Sequence, residues 1–398
     1  MDSVLPTDTI FDLIIIGGGC AGLSLATQLA GQHLNAPATL VLESRSEYAN
    51  DRTWCFWRDA QLPFDHMVSA QWRKVRVRSP DATTVLDCAA SPYQFVPSST
   101  FYAAAEASIS RNSHIQLYKK ISVLSQPEKT GEVWRVVTDR GEAYARMLVD
   151  TRPDASLKLG DTQMWQSFYG MEIECKADVF DPTTADLMDF SNQGNDVVKF
   201  VYVLPLSERR ALVEITVFSV NPISKDGLEA DCMKAIEDCV RGQPFQTLRI
   251  EHGILPMGPA KLPAETDGSY IRVGLHAGAA RANTGYAFQR IQRWAVLCAA
   301  QLSAGGLPVP HRRDAVLLRW MDDLFLRVLA SRPEIAAHLF LSVFKNTNPA
   351  RLIRFLSDNA SLMDCLSVVA ALPAKPFINE LRKVVFAALS TNTQRAFR

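Results

Sequence analysis

Apolar and polar positions at the start of the chain change their period in a set order. Phe11–Ile16 is a short apolar run of strand length, Ala21–Gln32 is rich in Ala and Leu at helical spacing, and Thr39–Leu42 is a second aliphatic run. A strand, a helix and a parallel strand are expected. Another strand is predicted within 144–154, "YARMLVDTRPD", ending at Asp150, and 268–302 predicts a strand, a glycine-bearing loop and a long helix beginning near Gly285. Residues 66–100 and 164–260 are richer in β-branched and aromatic side chains, as in "WRKVRVRS" and "VVKFVYVLPL", and read as a largely antiparallel sheet. From about 314 the pattern is helical and apolar. Its Leu and Phe positions suit a bundle core, an apolar cleft or a membrane-facing surface, and the pattern does not choose among these.

The expected fold class is α/β. A Rossmann-type nucleotide-binding domain would be assembled from 1–65, 101–163 and 264–312, with a β-sheet substrate domain from 66–100 and 164–263 inserted and a helical region over 313–398. Between the first strand and helix lies "GGGCAG", in which Gly17, Gly19 and Gly22 satisfy G-x-G-x-x-G. Such glycines permit a tight turn, a close backbone approach to a pyrophosphate and close helix packing, and the helix N-terminus adds N–H donors. Glu43 closes the second strand 21 residues after Gly22, where an acid that binds a ribose is expected. In the late loop, Thr284, Gly285 and Tyr286 are expected to offer backbone N–H groups at a helix start, as a second anion or ring-carbonyl contact.

"YVLPLSERRALVEITVFS", 202–219, reads as a hairpin with a polar turn at 207–210, and it leaves a lone carboxylate, Glu214, in an apolar strand. Leu212, Glu214, Thr216 and Phe218 share one face, and Val213, Ile215 and Val217 the other. Two readings stand side by side: an edge strand whose polar face meets water, or an acid kept protonated by desolvation for proton transfer.

Composition narrows the partners. With 47% hydrophobic and 21% charged residues the chain can bury a large core, and Lys plus Arg (42) balance Asp plus Glu (42), so no global field favours nucleic acid. The eight cysteines form no C-x-x-C pair, against a zinc or other metal site and against a disulfide scaffold. The N-terminal apolar run leads at once into glycines and carries no basic segment, so cytoplasmic location is the expectation. No run approaches the roughly 18 apolar residues of a spanning helix, which leaves peripheral attachment to the inner face of a membrane open.

The order of these elements resembles FAD-dependent proteins of the aromatic-hydroxylase-like class. Four stretches are similar to the bacterial lycopene β-cyclase family: "DRTWCFW" (51–57), the Leu-Pro-Leu-Ser hairpin with its acidic second strand, "GLHAGAARANTGYAF" (274–288), and "FLSDNASLMDCLSVVAALPAKPF" (355–377). The resemblance places the family's catalytic acid on Glu214 and its threonine on Thr216, while Ile215 stands where the family has a second acid. It implies FAD contacts at Gly17, Gly19, Gly22, Glu43, Arg52, Gly278, Thr284, Gly285 and Tyr286. "TRPD" departs from the family's Gly-Arg-Gly by keeping Arg152 and replacing a glycine with Pro153.

The activity so implied is redox-neutral. A buried acid protonates the terminal double bond of a linear carotenoid, a neighbouring double bond closes a six-membered ring, and a ring proton leaves. Reduced FAD would supply a counter-charge and NAD(P)H is the expected reductant; Trp54, Phe56 and Trp57 either offer π-faces to the cation or, as aromatics more commonly do, pack in a core. A flavin monooxygenase, a relative that cyclises another polyene or terpenoid, and a flavin-binding lipid carrier are the competing readings.

Overall fold

The computed structural model describes residues 5–6, 9–32, 35–60, 64–153, 164–192, 194, 196–258 and 267–384. The expected boundaries near 163 and 263, and the end of the last predicted helix beyond 384, lie outside the described residues.

The first apolar run forms the strand Ile10–Ile16, followed by the helix Cys20–Ala30 and the strand Thr39–Leu42. Ile10–Ile16 pairs in parallel with Thr39–Leu42 on one side and with Gly141–Asp150 on the other. Ile115–Tyr118 and Tyr270–Arg272 extend this sheet in parallel, and the hairpin of Glu128–Thr130 and Val133–Thr138 closes it, giving seven strands. The two central strands are buried on both faces, which explains their unbroken Ile and Leu runs. One face is covered by Cys20–Ala30, Ser98–Ile109 and Phe288–Ser303, and this layer is a fold of the Rossmann type.

A second seven-stranded sheet runs in the order Phe245–Met257, Met164–Cys175, Arg210–Ser219, Val198–Pro205, Thr184–Asp189, Lys74–Arg78, Thr83–Asp87. It is antiparallel except where Thr184–Asp189 meets Lys74–Arg78. A third sheet of Thr53–Trp57, Tyr93–Pro97 and Ala70–Trp72 bridges the two, and Trp72 Nε1 donates to the Pro205 carbonyl at 3.0 Å.

The reading of 164–260 as strands alone missed the helix Lys225–Val240. Its Leu228, Cys232, Ala235, Ile236 and Val240 recur on one helical face and pack on Val213, Ile215 and Val217. Leu228, Ile236 and Val240, fully buried, each contribute roughly 1.5–3 kcal/mol. That helix seals the far face of the sheet and fixes which residues face the other way. Ile215 lies in this sealed layer, so its replacement of an acid does not touch Glu214's side.

The C-terminal pattern gives the helices Val316–Ser331, Ala336–Asn346, Pro349–Leu356, Leu362–Ala371 and Ala374–Val384. They lie over the open face of the second sheet, sharing one core with Phe200, Leu212 and Phe218. No single described helix is long and apolar enough to cross a membrane.

Candidate active site

The glycine turn has three separate jobs. Gly17 has φ +98°, a left-handed conformation that only glycine holds cheaply. Gly19 precedes the helix with nothing within 4 Å of where a Cβ would stand, leaving the helix N-terminus open. A Cβ at Gly22 would collide with the Gly17 carbonyl oxygen, so this position serves close packing. Glu43 is buried beside them and accepts from the Gly18 N–H at 2.8 Å, the Arg45 N–H at 2.7 Å and the Arg45 guanidinium at 3.0 Å. Burial pushes its carboxyl up, but the bonds from Arg45 and Gly18 outweigh that and hold it below the usual range. Arg45, which the glycine spacing gave no reason to single out, lies over the rings of Tyr48 and Tyr102 at 4.8 and 5.3 Å.

Arg52 stands on the wall of the same cavity and pairs with Asp51 at 3.0 Å. Arg152 also lines it, held by Asp150 at 2.7 Å. Thr284, Gly285 and Tyr286 border the cavity, whereas Gly278, at φ +86°, is not among its lining residues. The expected helix start near Gly285 is displaced: Gly285 is left-handed at φ +69°, Ala287 is non-helical, and the helix begins at Phe288. The Thr284 and Gly285 N–H groups donate to the Arg281 carbonyl at 3.4 and 2.9 Å, and the Tyr286 N–H to Thr284 Oγ1 at 3.3 Å. These donors are therefore spent within the loop.

Glu214 sits on a central strand. From Ala211 to Ser219 every residue is buried, which excludes the edge-strand reading. Across the sheet Glu214 is level with Gly170 on one neighbour and Tyr202 on the other, and Gly170 is level with Glu251 on the next strand. Two glutamates thus flank a residue without a side chain, where an added Cβ would press to 3.2 Å from Glu214 Cβ. Glu251 is 3% exposed and Glu214 8%.

Their partners differ. Glu251 accepts from Arg249 and, at 2.8 Å, from Thr53 Oγ1, which itself accepts from Arg249 Nη2 at 2.9 Å. Arg249 also reaches Glu172 at 3.0 Å. Among the described residues no Lys or Arg bonds to Glu214, which accepts only from Thr216 Oγ1 at 2.7 Å. Burial first, and then the nearby charge of Glu251, push the Glu214 carboxyl up to about 8. Burial also raises Glu251, against the pull of Arg249 and Thr53.

A cavity of about 1040 Å³ runs from Gly17 and Gly19 past Glu214 and Glu251 into the C-terminal helices, where Trp320, Phe340, Phe344, Leu352 and Phe377 line it. Beside Glu214 its wall carries Phe168, Phe200, Tyr202 and Phe218, with Phe200 and Phe218 edge to face at 5.4 Å. Of the aromatics expected to face a cation, Trp54 borders this cavity, but Phe56 stacks on Phe288 at 5.1 Å and Trp57 packs on Tyr93 at 4.8 Å. Both are buried in hydrophobic clusters, and neither is on this wall. Tyr202 donates to Tyr93 at 2.9 Å, and Tyr93 and Tyr286 share a hydrogen bond at 3.2 Å, tying the sheet to the glycine loop.

The nucleotide end fits a dinucleotide on its own geometry. Gly19 opens onto space, and the buried oxygens Gln166 Oε1 and Asn283 Oδ1 on the cavity wall beside Gly285 have no partner among the described residues. Buried acceptors left in this way ask for a donor from a bound group. Among the described residues no group of three or more His, Cys, Asp or Glu could hold a metal ion.

The fold is that of FAD-binding flavoprotein monooxygenases and reductases. A geranylgeranyl bacteriochlorophyll reductase-like protein from Thermoplasma acidophilum superposes with a TM-score of 0.62 at 14% identity, over 94% of this chain and 99% of that one. The flavin-dependent monooxygenase PieE, solved with FAD and substrate, gives 0.58 at 11% identity, over 92% and 71%. Residues 12–382 match the lycopene cyclase protein family, and the chain belongs to it. Lycopene beta-cyclases from Pantoea ananas and Pseudescherichia vulneris are 24% and 26% identical, over 94% and 92% of this chain and 98% and 95% of their own lengths.

Proposed function

We propose that this protein is a lycopene β-cyclase-like enzyme, an isomerase that closes the ψ-ends of a linear carotenoid by acid catalysis without net redox change. Membership of the lycopene cyclase family supports the substrate class. The observation that carries the chemistry is Glu214, a buried carboxyl with no bonded cation among the described residues, in a cavity that joins a dinucleotide turn to an apolar channel. An alkene is a very weak base, so its protonation needs a proton donor that is still loaded at neutral pH and shielded from water. Glu214 meets both needs.

FAD in its reduced form, kept so by NAD(P)H, would be held along Gly17, Gly19, Glu43 and Arg52, with Thr284, Gly285 and Tyr286 bordering it, and would supply negative charge to stabilise the carbocation. The channel residues align the polyene and exclude water. Thr216 donates to Glu214 Oε1, leaving Oε2 to carry the proton. That proton forms a C–H bond at the terminal alkene, and the neighbouring double bond closes the ring onto the resulting tertiary cation. Phe168, Phe200 and Phe218 line the cavity with Glu214 and would offer π-faces to this charge.

Expression in a lycopene-accumulating host tests the reading: β-ringed pigment is expected, and unchanged lycopene with FAD bound and reduced sinks it. Oxygen and NAD(P)H consumed one for one with product would point to the monooxygenase alternative instead. The pH profile carries a sign. Glu214 acts only while protonated, so turnover is expected to hold below about 8 and fall tenfold per pH unit above it. A rate that rises through this range contradicts the assignment.

The channel ends among Trp320, Val369, Ile378 and Leu381, which line it and are also 36–50% exposed. Val316, Leu362, Met363 and Leu366, on two of the same three helices, are exposed as well. These side chains support peripheral contact with a membrane that holds the substrate. Co-sedimentation with phosphatidylcholine vesicles is expected, and Trp320→Glu combined with Leu366→Glu should reduce the bound fraction several-fold. Equal binding by the wild type and the double variant contradicts it.

A further inference from the structure

Deprotonation of the ring needs a base, and the acid that has just given up its proton is one candidate. The structure holds a second. We infer that Glu251 is the proton acceptor of the reaction, a catalytic residue distinct from the donor Glu214, and that Gly170 keeps open the space through which the proton returns. This rests on the cyclase reading above.

Three observations converge on it. Glu251 borders the cavity in the same row of the sheet as Glu214, on the same face, with only Gly170 between them. Arg249 and Thr53 both donate to its Oε2. Among the described residues Glu214 has no such cation, so of the two carboxyls Glu251 is the first to ionise, and its charge in turn helps keep Glu214 loaded. Two carboxyls whose surroundings push them apart in this way divide the roles of acid and base between them.

The bookkeeping of protons and electrons closes. The Glu214 O–H bond breaks and a C–H bond forms at the alkene, leaving Glu214 as carboxylate and the carbon chain as cation. The electron pair of the neighbouring double bond becomes the new ring bond. A ring C–H bond then gives its pair to the new ring double bond, and its proton goes to Glu251. The products are neutral β-ring, protonated Glu251 and ionised Glu214, with no electron gained or lost. Transfer of that proton from Glu251 to Glu214 past Gly170 restores the starting state. Arg249, which contacts both Glu172 and Glu251, stays in place and draws the proton off Glu251 again.

The division of labour predicts a signature that slow turnover alone does not produce. The FAD-reconstituted enzyme is incubated with lycopene in D2O, and both the product and the recovered substrate are analysed by mass spectrometry and chromatography. In the Glu251→Gln variant proton donation survives while proton loss is retarded, so β-ring formation is expected to fall roughly a hundredfold. Unreacted lycopene should then carry deuterium, and ring isomers with a displaced double bond should increase. Glu251→Asp keeps a carboxylate beside Arg249 and should show the same exchange with a smaller loss of rate, and it serves as the readout if Glu251→Gln does not fold. Glu214→Gln should show neither product nor exchange.

β-Ring formation within about twofold of the wild type in Glu251→Gln overturns the inference. So does a loss of rate in the folded variants with no deuterium in recovered lycopene. A wild-type enzyme that leaves lycopene unchanged would instead overturn the cyclase reading itself, so the two failures are distinguishable.

Discussion

Glu214→Gln is expected to abolish β-ringed pigment while leaving the protein folded and able to bind FAD. The substitution keeps the shape of the side chain and the bond from Thr216. What it removes is the transferable proton. A positioned general acid is worth roughly 10²–10⁴ in rate, and because position 214 is only 8% exposed, a solvent proton is a poor replacement for it. The measurement is pigment analysis together with the flavin absorbance of the purified protein. Retention of more than about a tenth of the wild-type rate would assign proton donation to another group.

Arg281→Met is expected to cost stability on the scale of a core defect. Arg281 is 1% exposed, donates to the Phe355 carbonyl, and pairs with Asp322 at 3.2 and 3.3 Å. Asp358 lies 3.7 Å away. Removing the guanidinium leaves Asp322 buried without its cation, for about 3–5 kcal/mol. The same residue's main chain builds the glycine loop, its carbonyl receiving the Gly285 N–H at 2.9 Å and its N–H donating to the Tyr286 carbonyl at 3.0 Å. Arg281 therefore links the nucleotide loop to the channel helices. A denaturant titration should show the loss, accompanied by weaker flavin retention. An unfolding free energy within about 0.5 kcal/mol of wild type, the range of ordinary surface changes, would contradict this account.

Much of the fold was legible because its central strands are buried on both faces. Unbroken runs such as Leu13–Ile16 leave little choice of element, and the glycine spacing at their end is chemical rather than statistical. The helix Lys225–Val240 was legible too, from Leu228, Cys232, Ala235, Ile236 and Val240 at helical spacing, but surrounding β-rich segments drew the reading away from it. The start of the later helix was misplaced because Thr-Gly-Tyr resembles a cap, whereas Gly285 turns left-handed and carries the chain three residues further.

The site was half visible. Glu214 showed as a polar residue breaking an apolar alternation. Glu251 did not, because its meaning depends on strand order: Phe245–Met257 and Arg210–Ser219 flank Met164–Cys175, and only that arrangement sets the two acids in one row. Thr53 is 198 residues from Glu251 along the chain and donates to it directly, a relation that no local pattern encodes. Arg45 was hidden for a similar reason, since its stacking partner Tyr102 comes from a distant helix.

The hairpin that joins Val198–Pro205 to Arg210–Ser219 is closed by the Leu206 and Ser207 N–H groups, both donating to the Arg210 carbonyl. Because side chains swap sides at every residue, a one-residue slip of Arg210–Ser219 against its neighbours would turn Ile215 into the channel and drive Glu214 against the covering helix. Burial of the whole strand from Ala211 to Ser219 opposes such a slip, so the corner can be rebuilt in length while the pairing beyond it keeps the carboxyl where it is.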